Sequence, residues 1–143
     1  MEKVKIRSYV SENIKFKVYE IKGDRKYRYK WDKYYRKCDI LLFFVDLTAS
    51  EEIWEESKFE LQQLLKRNSR TLKNMLILGT KNDKKEAVEC KDLILKLGLL
   101  NIPDIEIACF SISAIKNINT NLILPWLIEQ YKIKNSKEKL KLF

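Results

Sequence analysis

Met75-Leu76-Ile77-Leu78, running directly into Gly79-Thr80-Lys81-Asn82-Asp83, is an unbroken apolar run that ends in a glycine and a polar cluster. A strand with one wet face alternates apolar and polar residues; a strand covered on both faces does not, which is the habit of parallel sheets between helices. Two other segments share this form. Ile40-Leu41-Leu42-Phe43-Phe44-Val45 leads into Asp46, and the stretch from Ile105 to Phe110 leads into Ser111-Ile112-Ser113-Ala114. Helical periods separate them. Trp54, Ser57, Leu61, Leu64 and Leu65 form one stripe, expected to open on a capping box of Thr48 and Glu51 and to end near Lys66, Arg67 and Arg70. Cys90, Leu93, Ile94 and Leu97 form a second, with Gly98 placed for a left-handed cap. In the third, Leu122, Ile123, Trp126 and Leu127, Pro125 would cost about 3 kcal/mol inside a helix. A late start capped by Asn121, with the proline in the first turn, is therefore expected. Strands alternating with such helices predict an α/β fold with a mostly parallel sheet of about five strands and helices on both faces.

Upstream of Ile40 the pattern changes. Val4, Ile6 and Val10, then Ile14, Phe16 and Val18, fall at even positions around Ser11-Glu12-Asn13, which predicts a half-buried hairpin. The chain has 143 residues and 45% hydrophobic content, enough for one domain, placed at 1–133 with a basic tail at 134–143. It contains no His, which excludes Ser-His-Asp triads, Cys-His dyads and most zinc sites. Cys38, Cys90 and Cys109 are widely spaced and odd in number, so reduced thiols in a cytoplasmic protein are expected. No metal site is expected. The net charge of +9 is concentrated locally: Arg25, Lys26, Arg28, Lys30, Lys33, Arg36 and Lys37 face one acid, Asp32, and five lysines at 132, 134, 137, 139 and 141 close the chain. Such clusters suit phosphate, an anionic membrane surface or an acidic partner.

In open α/β sheets ligands lie beyond the carboxyl ends of the strands. There, Thr80-Lys81-Asn82-Asp83 and Ser113-Ala114 resemble the guanine-recognition elements of small GTPases, an NKxD and an SA-type motif. The resemblance implies that Asp83 accepts two guanine N–H groups, that the Lys81 stem covers the base and that a backbone N–H after Ser113 reads O6. It extends over about residues 4 to 131 and is to the ADP-ribosylation-factor-like (Arf-like) small GTPases. Tyr19-Glu20-Ile21-Lys22-Gly23-Asp24 is similar to that family's WDxGGQ, Trp31-Asp32-Lys33-Tyr34-Tyr35 to its W-x-x-Y element, and Phe44-Val45-Asp46 to its VVD strand end. Leu78 to Asp83, Cys109 to Ser113 and Trp126 to Gln130 most resemble the lysosome-associated branch. The family's hydrophobic effector triad falls on Val4, Tyr19 and Tyr34, with Trp31 beside it.

Departures from the family set the functional expectation. The sequence contains no G-x-x-x-x-G-K-[ST], whose backbone N–H groups and Lys hold the phosphates. By alignment Met1 falls near the family's switch I, so the first strand, phosphate loop and first helix have no counterpart here. The residue supporting magnesium becomes Glu20, one switch II glycine becomes Lys22 and the water-orienting Gln becomes Asp24; only Gly23 matches. A carboxylate in place of the amide at 24 disfavours a triphosphate, and Thr80 replaces the loop-bracing Asn. No catalytic residue and no bound cofactor are therefore expected; GTP or GDP with Mg would require an N-terminal segment outside this sequence.

The leading expectation is a pseudo-GTPase in membrane traffic that binds protein effectors through the hairpin and switch II face. Its place would be the cytoplasm, peripherally on endosomal or lysosomal membranes through anionic contact. The alternative is a GTP-binding switch whose phosphate-loop segment lies outside the sequence. A third class, a basic RNA-binding protein, would use the aromatic and cationic stretch from Tyr27 to Tyr35, though no nucleic acid is expected as partner. Trp54, Trp126, Cys90 and Cys109 are expected in the core. In the family's strand order the first strand separates the segments Ile14 to Ile21 and Ile40 to Val45. Direct pairing of these two is expected to close the sheet here, with one face thinly covered.

Overall fold

The computed structural model describes residues 4–81, 90–100, 102, 105–112 and 120–141, with the side chains at 90, 91, 120 and 135–141 outside that description. The N-terminal strands β1 (Val4–Ser11) and β2 (Ile14–Ile21) form an antiparallel hairpin. Its two-residue turn places Glu12 at φ 49 and Asn13 at φ 64, the left-handed pair that suits the twist of a tight hairpin. This turn sets a register in which Val4 faces Ile21, Ile6 faces Tyr19 and Tyr9 faces Phe16. Even residues of β1 thus share a face with odd residues of β2. The even-numbered apolar residues of the two strands therefore lie on opposite faces, and the hairpin has two partly apolar faces rather than the single one expected.

Next come a 3-10 turn (Arg25–Lys30), α1 (Trp31–Lys37), β3 (Ile40–Asp46), α2 (Glu51–Arg67), β4 (Asn74–Thr80), α3 (Cys90–Lys96) and β5 (Ile107–Ser111). A 3-10 turn at Thr120–Leu122 and α4 (Ile123–Lys141) close the described chain. Strands β3, β4 and β5 form a parallel sheet in that order. The five described strands are thus divided between a two-stranded and a three-stranded sheet, and the expected pairing of β2 with β3 does not occur. Side chains join the two instead: the Trp31 indole stands edge-on to Phe43 at 6.0 Å between ring centres, and its Nε1 donates to the Lys22 carbonyl at 3.3 Å. The segment following β2 is tied to α2 by ion pairs of Arg25 and Arg28 with Glu56.

Parity along the parallel strands sorts the core. Val45, Met75 and Ile77 face Trp54, Leu61 and Leu64 of α2 and Leu93 and Leu97 of α3. On the other face Leu76, Leu78 and Ile112 meet Ile123 and Trp126 at the start of α4. This second layer is thin, as expected: Phe44, which points to that side, is 59% exposed. β4 is buried on both faces, whereas the flanking strands are half-buried. Trp54 is buried; Trp126 and Cys109 are half-buried. The Cys90 side chain lies outside the described residues.

The cap of α2 is Ser50, whose hydroxyl accepts from the Ile53 N–H at 3.4 Å. Thr48, the expected cap, is engaged by the end of β3: its N–H and hydroxyl donate to Asp46 Oδ1 at 2.8 and 2.7 Å. Gly98 has φ +67, and the Leu99 N–H to Ile94 C=O and Gly98 N–H to Leu95 C=O bonds close α3 as a Schellman cap. Pro125 sits in the first turn of α4, where its missing N–H costs nothing. The helix backbone continues through Lys141.

Candidate functional site

The carboxyl ends of β3 and β4 bring Asp46 and Thr80 side by side, because the parallel register pairs them. Lys81 follows at φ +62, a conformation that turns its side chain back, and its Nζ donates to Asp46 Oδ2 at 2.8 Å. Burial pushes the Asp46 carboxyl up, but the hydrogen bonds from Lys81 and Thr48 outweigh it and hold the group below the usual carboxylate range. The same contact raises the Lys81 ammonium. Thr80 Oγ1 donates to the Val45 carbonyl at 3.2 Å, bracing the strand end. Asp83, Ser113 and Ala114 lie outside the described residues. Asp46 was legible only as a strand end; its hold on Lys81 depends on contact across 35 residues.

The residues at the switch II positions face elsewhere. Glu20 pairs with Arg7 across the hairpin at 3.4 Å, on the solvent side. A Cβ on Gly23 would have nothing within 4 Å, so no close approach requires the glycine; its carbonyl accepts from Arg28 Nε at 2.8 Å. Asp24 precedes the 3-10 turn with no side-chain cap bond, while its carbonyl accepts from the Tyr27 N–H. The turn is held to α2 by charge. Arg25 contacts Glu56 through Nε at 2.7 Å and Nη2 at 3.1 Å, and Arg28 reaches Glu56 at 2.7 Å and Glu60 at 3.6 Å. These hydrogen bonds lower the Glu56 carboxyl to about 2. One helical turn separates Glu56 from Glu60, and that spacing opposite Arg25 and Arg28 was the available signal in sequence. α1 is tied in the same way: Arg67 Nη2 meets Asp32 at 2.9 Å and Asn68 Nδ2 donates to it at 2.8 Å.

Of the four residues expected on the effector face, two come together. The Tyr19 and Tyr34 rings meet at 5.1 Å with a 46° tilt, joining hairpin to α1. Lys17 lies over Tyr19 at 5.4 Å, and Lys33 and Lys37 over Tyr34 at 5.5 and 5.4 Å. Nearby Tyr29 is 73% exposed. Val4, by contrast, is buried at the hairpin base opposite Ile21, and Trp31 is half-buried against Phe43.

A parallel sheet with helices on both faces and polar residues at its carboxyl ends is a doubly wound α/β arrangement, which small GTPases share. Comparison with known proteins agrees. The solved Arl6 BBS3 small GTPase from Trypanosoma brucei, with bound nucleotide analogue GppNp, superposes with a TM-score of 0.81 over 91% of this chain and 80% of that one, at 22% identity. Residues 2–131 match the profile of the ADP-ribosylation factor family. ADP-ribosylation factor-like protein 8c of Arabidopsis thaliana is 32% identical over 124 residues, 87% of this chain and 67% of the relative. The chain belongs to the ADP-ribosylation factor family of small GTPases.

That membership implies a guanine nucleotide and magnesium; of the residues expected to meet the base, Asp83, Ser113 and Ala114 lie outside the described residues. Glu20 is turned to Arg7, Lys81 to Asp46, and among the described residues no group of three acids or cysteines could hold a metal ion. No described helix is long and apolar enough to cross a membrane.

Proposed function

We propose that this chain is an effector-docking member of the Arf family in intracellular membrane traffic, with little or no guanine-nucleotide binding or hydrolysis of its own. The observation that carries the reading is the contrast between two sites. The Tyr19–Tyr34 pair is assembled and rimmed by Lys17, Lys33 and Lys37, while Glu20 is paired with Arg7 and Lys81 with Asp46. Aromatic anchors in a basic rim suit a protein segment carrying apolar and acidic residues. The resemblance to the lysosome-associated branch supports a place at endosomal or lysosomal membranes.

The test is capture of partners on the full chain. Tyr19→Ala with Tyr34→Ala should weaken a captured partner by about 2 kcal/mol or more; a partner indifferent to both changes sinks the reading. A fluorescent guanine nucleotide should show no saturable binding at low micromolar concentration. The retained Thr80-Lys81-Asn82-Asp83 favours a second reading, a GTP-binding switch completed by a phosphate loop outside this sequence. Saturable binding that prefers GTP over ATP and disappears in Asp83→Ala would establish it.

A further inference from the structure

At the pole opposite the strand carboxyl ends, a cavity of about 380 Å³ is lined by Arg36, Arg67, Asn68, Ser69, Arg70, Thr71 and Lys73. No acid lines it. Asp32 and Asp39, the acids nearest Arg36 in sequence, are both occupied: Asp32 by Arg67 at 2.9 Å and Asp39 by Lys134 at 2.7 Å. The wall is braced rather than loose. Asn68, 6% exposed, donates to the Leu64 carbonyl and to Asp32, and accepts from Arg36 Nε at 3.2 Å. Arg70 and Lys73 enter no salt bridge among the described residues, and Lys73 uses only its backbone N–H, on the Tyr35 hydroxyl at 3.0 Å.

Helix-end electrostatics explain part of this charge. Carbonyls at the end of α2 attract cations, which accounts for Lys66 and Arg67 in its last turn. They do not account for Arg36 arriving from α1, nor for Arg70 and Lys73 beyond the helix. With Arg67 paired to Asp32, Arg36 from α1, which also lies close enough to Asp32 to lower its carboxyl, meets Arg70 and Lys73 of the α2–β4 connection on one concavity. Hydroxyls of Ser69 and Thr71 add further donors. Guanidinium forks beside an ammonium match phosphate oxygens in geometry as well as charge.

We propose that the cavity between the ends of α1 and α2 and the start of β4 binds a ligand carrying two or more phosphate groups, either a free polyphosphate or a phosphorylated lipid headgroup. α4 bears on the choice of source. It passes the start of β4 through Gln130 and Asn74 and the start of β3 through Lys134 and Asp39, so its basic half emerges at this pole.

The experiment titrates the full chain with pyrophosphate and, separately, with phosphatidylcholine vesicles doped with phosphatidylinositol bisphosphate. Arg70→Gln with Lys73→Gln removes two cations whose side chains make no hydrogen bond or salt bridge among the described residues; Lys5→Gln with Lys15→Gln removes the same charge from the hairpin. The pocket pair should weaken binding about ten-fold or more, and the hairpin pair about two-fold or less. Loss confined to the pocket pair supports the site in either arm. Vesicle capture then identifies a headgroup, and pyrophosphate binding without capture a soluble ligand. Equal losses in both pairs, equal capture by charge-matched phosphatidylserine vesicles, or no saturable binding of either probe up to millimolar concentration overturns the proposal. Unchanged thermal unfolding of both pairs separates loss of the site from loss of the fold.

Discussion

Strands β1 and β4 are of nearly equal length and carry four large apolar side chains each, yet their surroundings are opposite. Met75, Leu76, Ile77 and Leu78 of β4 are fully buried, whereas Ile6, Tyr9 and Val10 of β1 are 56%, 52% and 69% exposed. β4 has a ladder on both edges and helices on both faces; β1 has a ladder to β2 alone. Burial is thus a property of a strand's neighbours, and apolar content alone does not confer it. The adhesive differs too. The parallel sheet is held by dry packing, while the turn after the hairpin is held by Arg25, Arg28 and Glu56.

The largest expected effect tests the contrast directly. Leu78→Ala should cost about 2–5 kcal/mol, because a buried side chain leaves a cavity, while Ile6→Ala should stay within about 0.5 kcal/mol. Urea denaturation of the two variants decides it, and comparable losses would mean that the hairpin is covered in solution. A smaller effect separates two glycines. A Cβ on Gly79 would meet Leu47 Cδ2 at 2.5 Å and Leu93 Cδ1 at 2.9 Å, so Gly79→Ala should cost about 1–3 kcal/mol through overpacking. Gly23→Ala, with open space around it, should be near neutral in the same assay.

The smallest effect concerns acid. Glu56 is lowered from an ordinary 4.5 to about 2 by its two arginines, so its favourable contribution is complete above pH 4.5 and disappears as pH falls through about 2. Protection of the 25–30 turn amides, taken relative to intrinsic exchange at each pH, should fall across that window. Glu56→Gln should remove the dependence, leaving the amides of β4 unaffected. Equal acid sensitivity in turn and sheet would erase the distinction between the two modes of attachment.

Much of the parallel half was legible in the sequence, because its signals are local. Unbroken apolar runs mark β3 to β5, Gly98 caps α3, and Pro125 forces the late start of α4. The misreadings share one cause, competition between alternative partners that a pattern read one element at a time does not resolve. Thr48 looked like a cap in isolation but is claimed by Asp46, leaving Ser50 to cap α2. The even-numbered apolar pattern of the hairpin ignored its turn, whose two left-handed residues set the register. The ion pair of Lys81, by contrast, was not legible, since Asp46 lies 35 residues upstream.

By itself the sequence determined the element types, the family and the drift of residues 20, 22 and 24, since each depends on residue identity and short-range periodicity. Only the tertiary structure decided that β2 and β3 remain in separate sheets, that Tyr19 meets Tyr34 while Val4 is buried, and that cations from α1, α2 and the approach to β4 converge on one cavity. Those outcomes depend on contacts between segments about 15 to 40 residues apart. No local preference encodes them, and they follow from which packing of the whole chain buries apolar surface while leaving its charges paired or solvated.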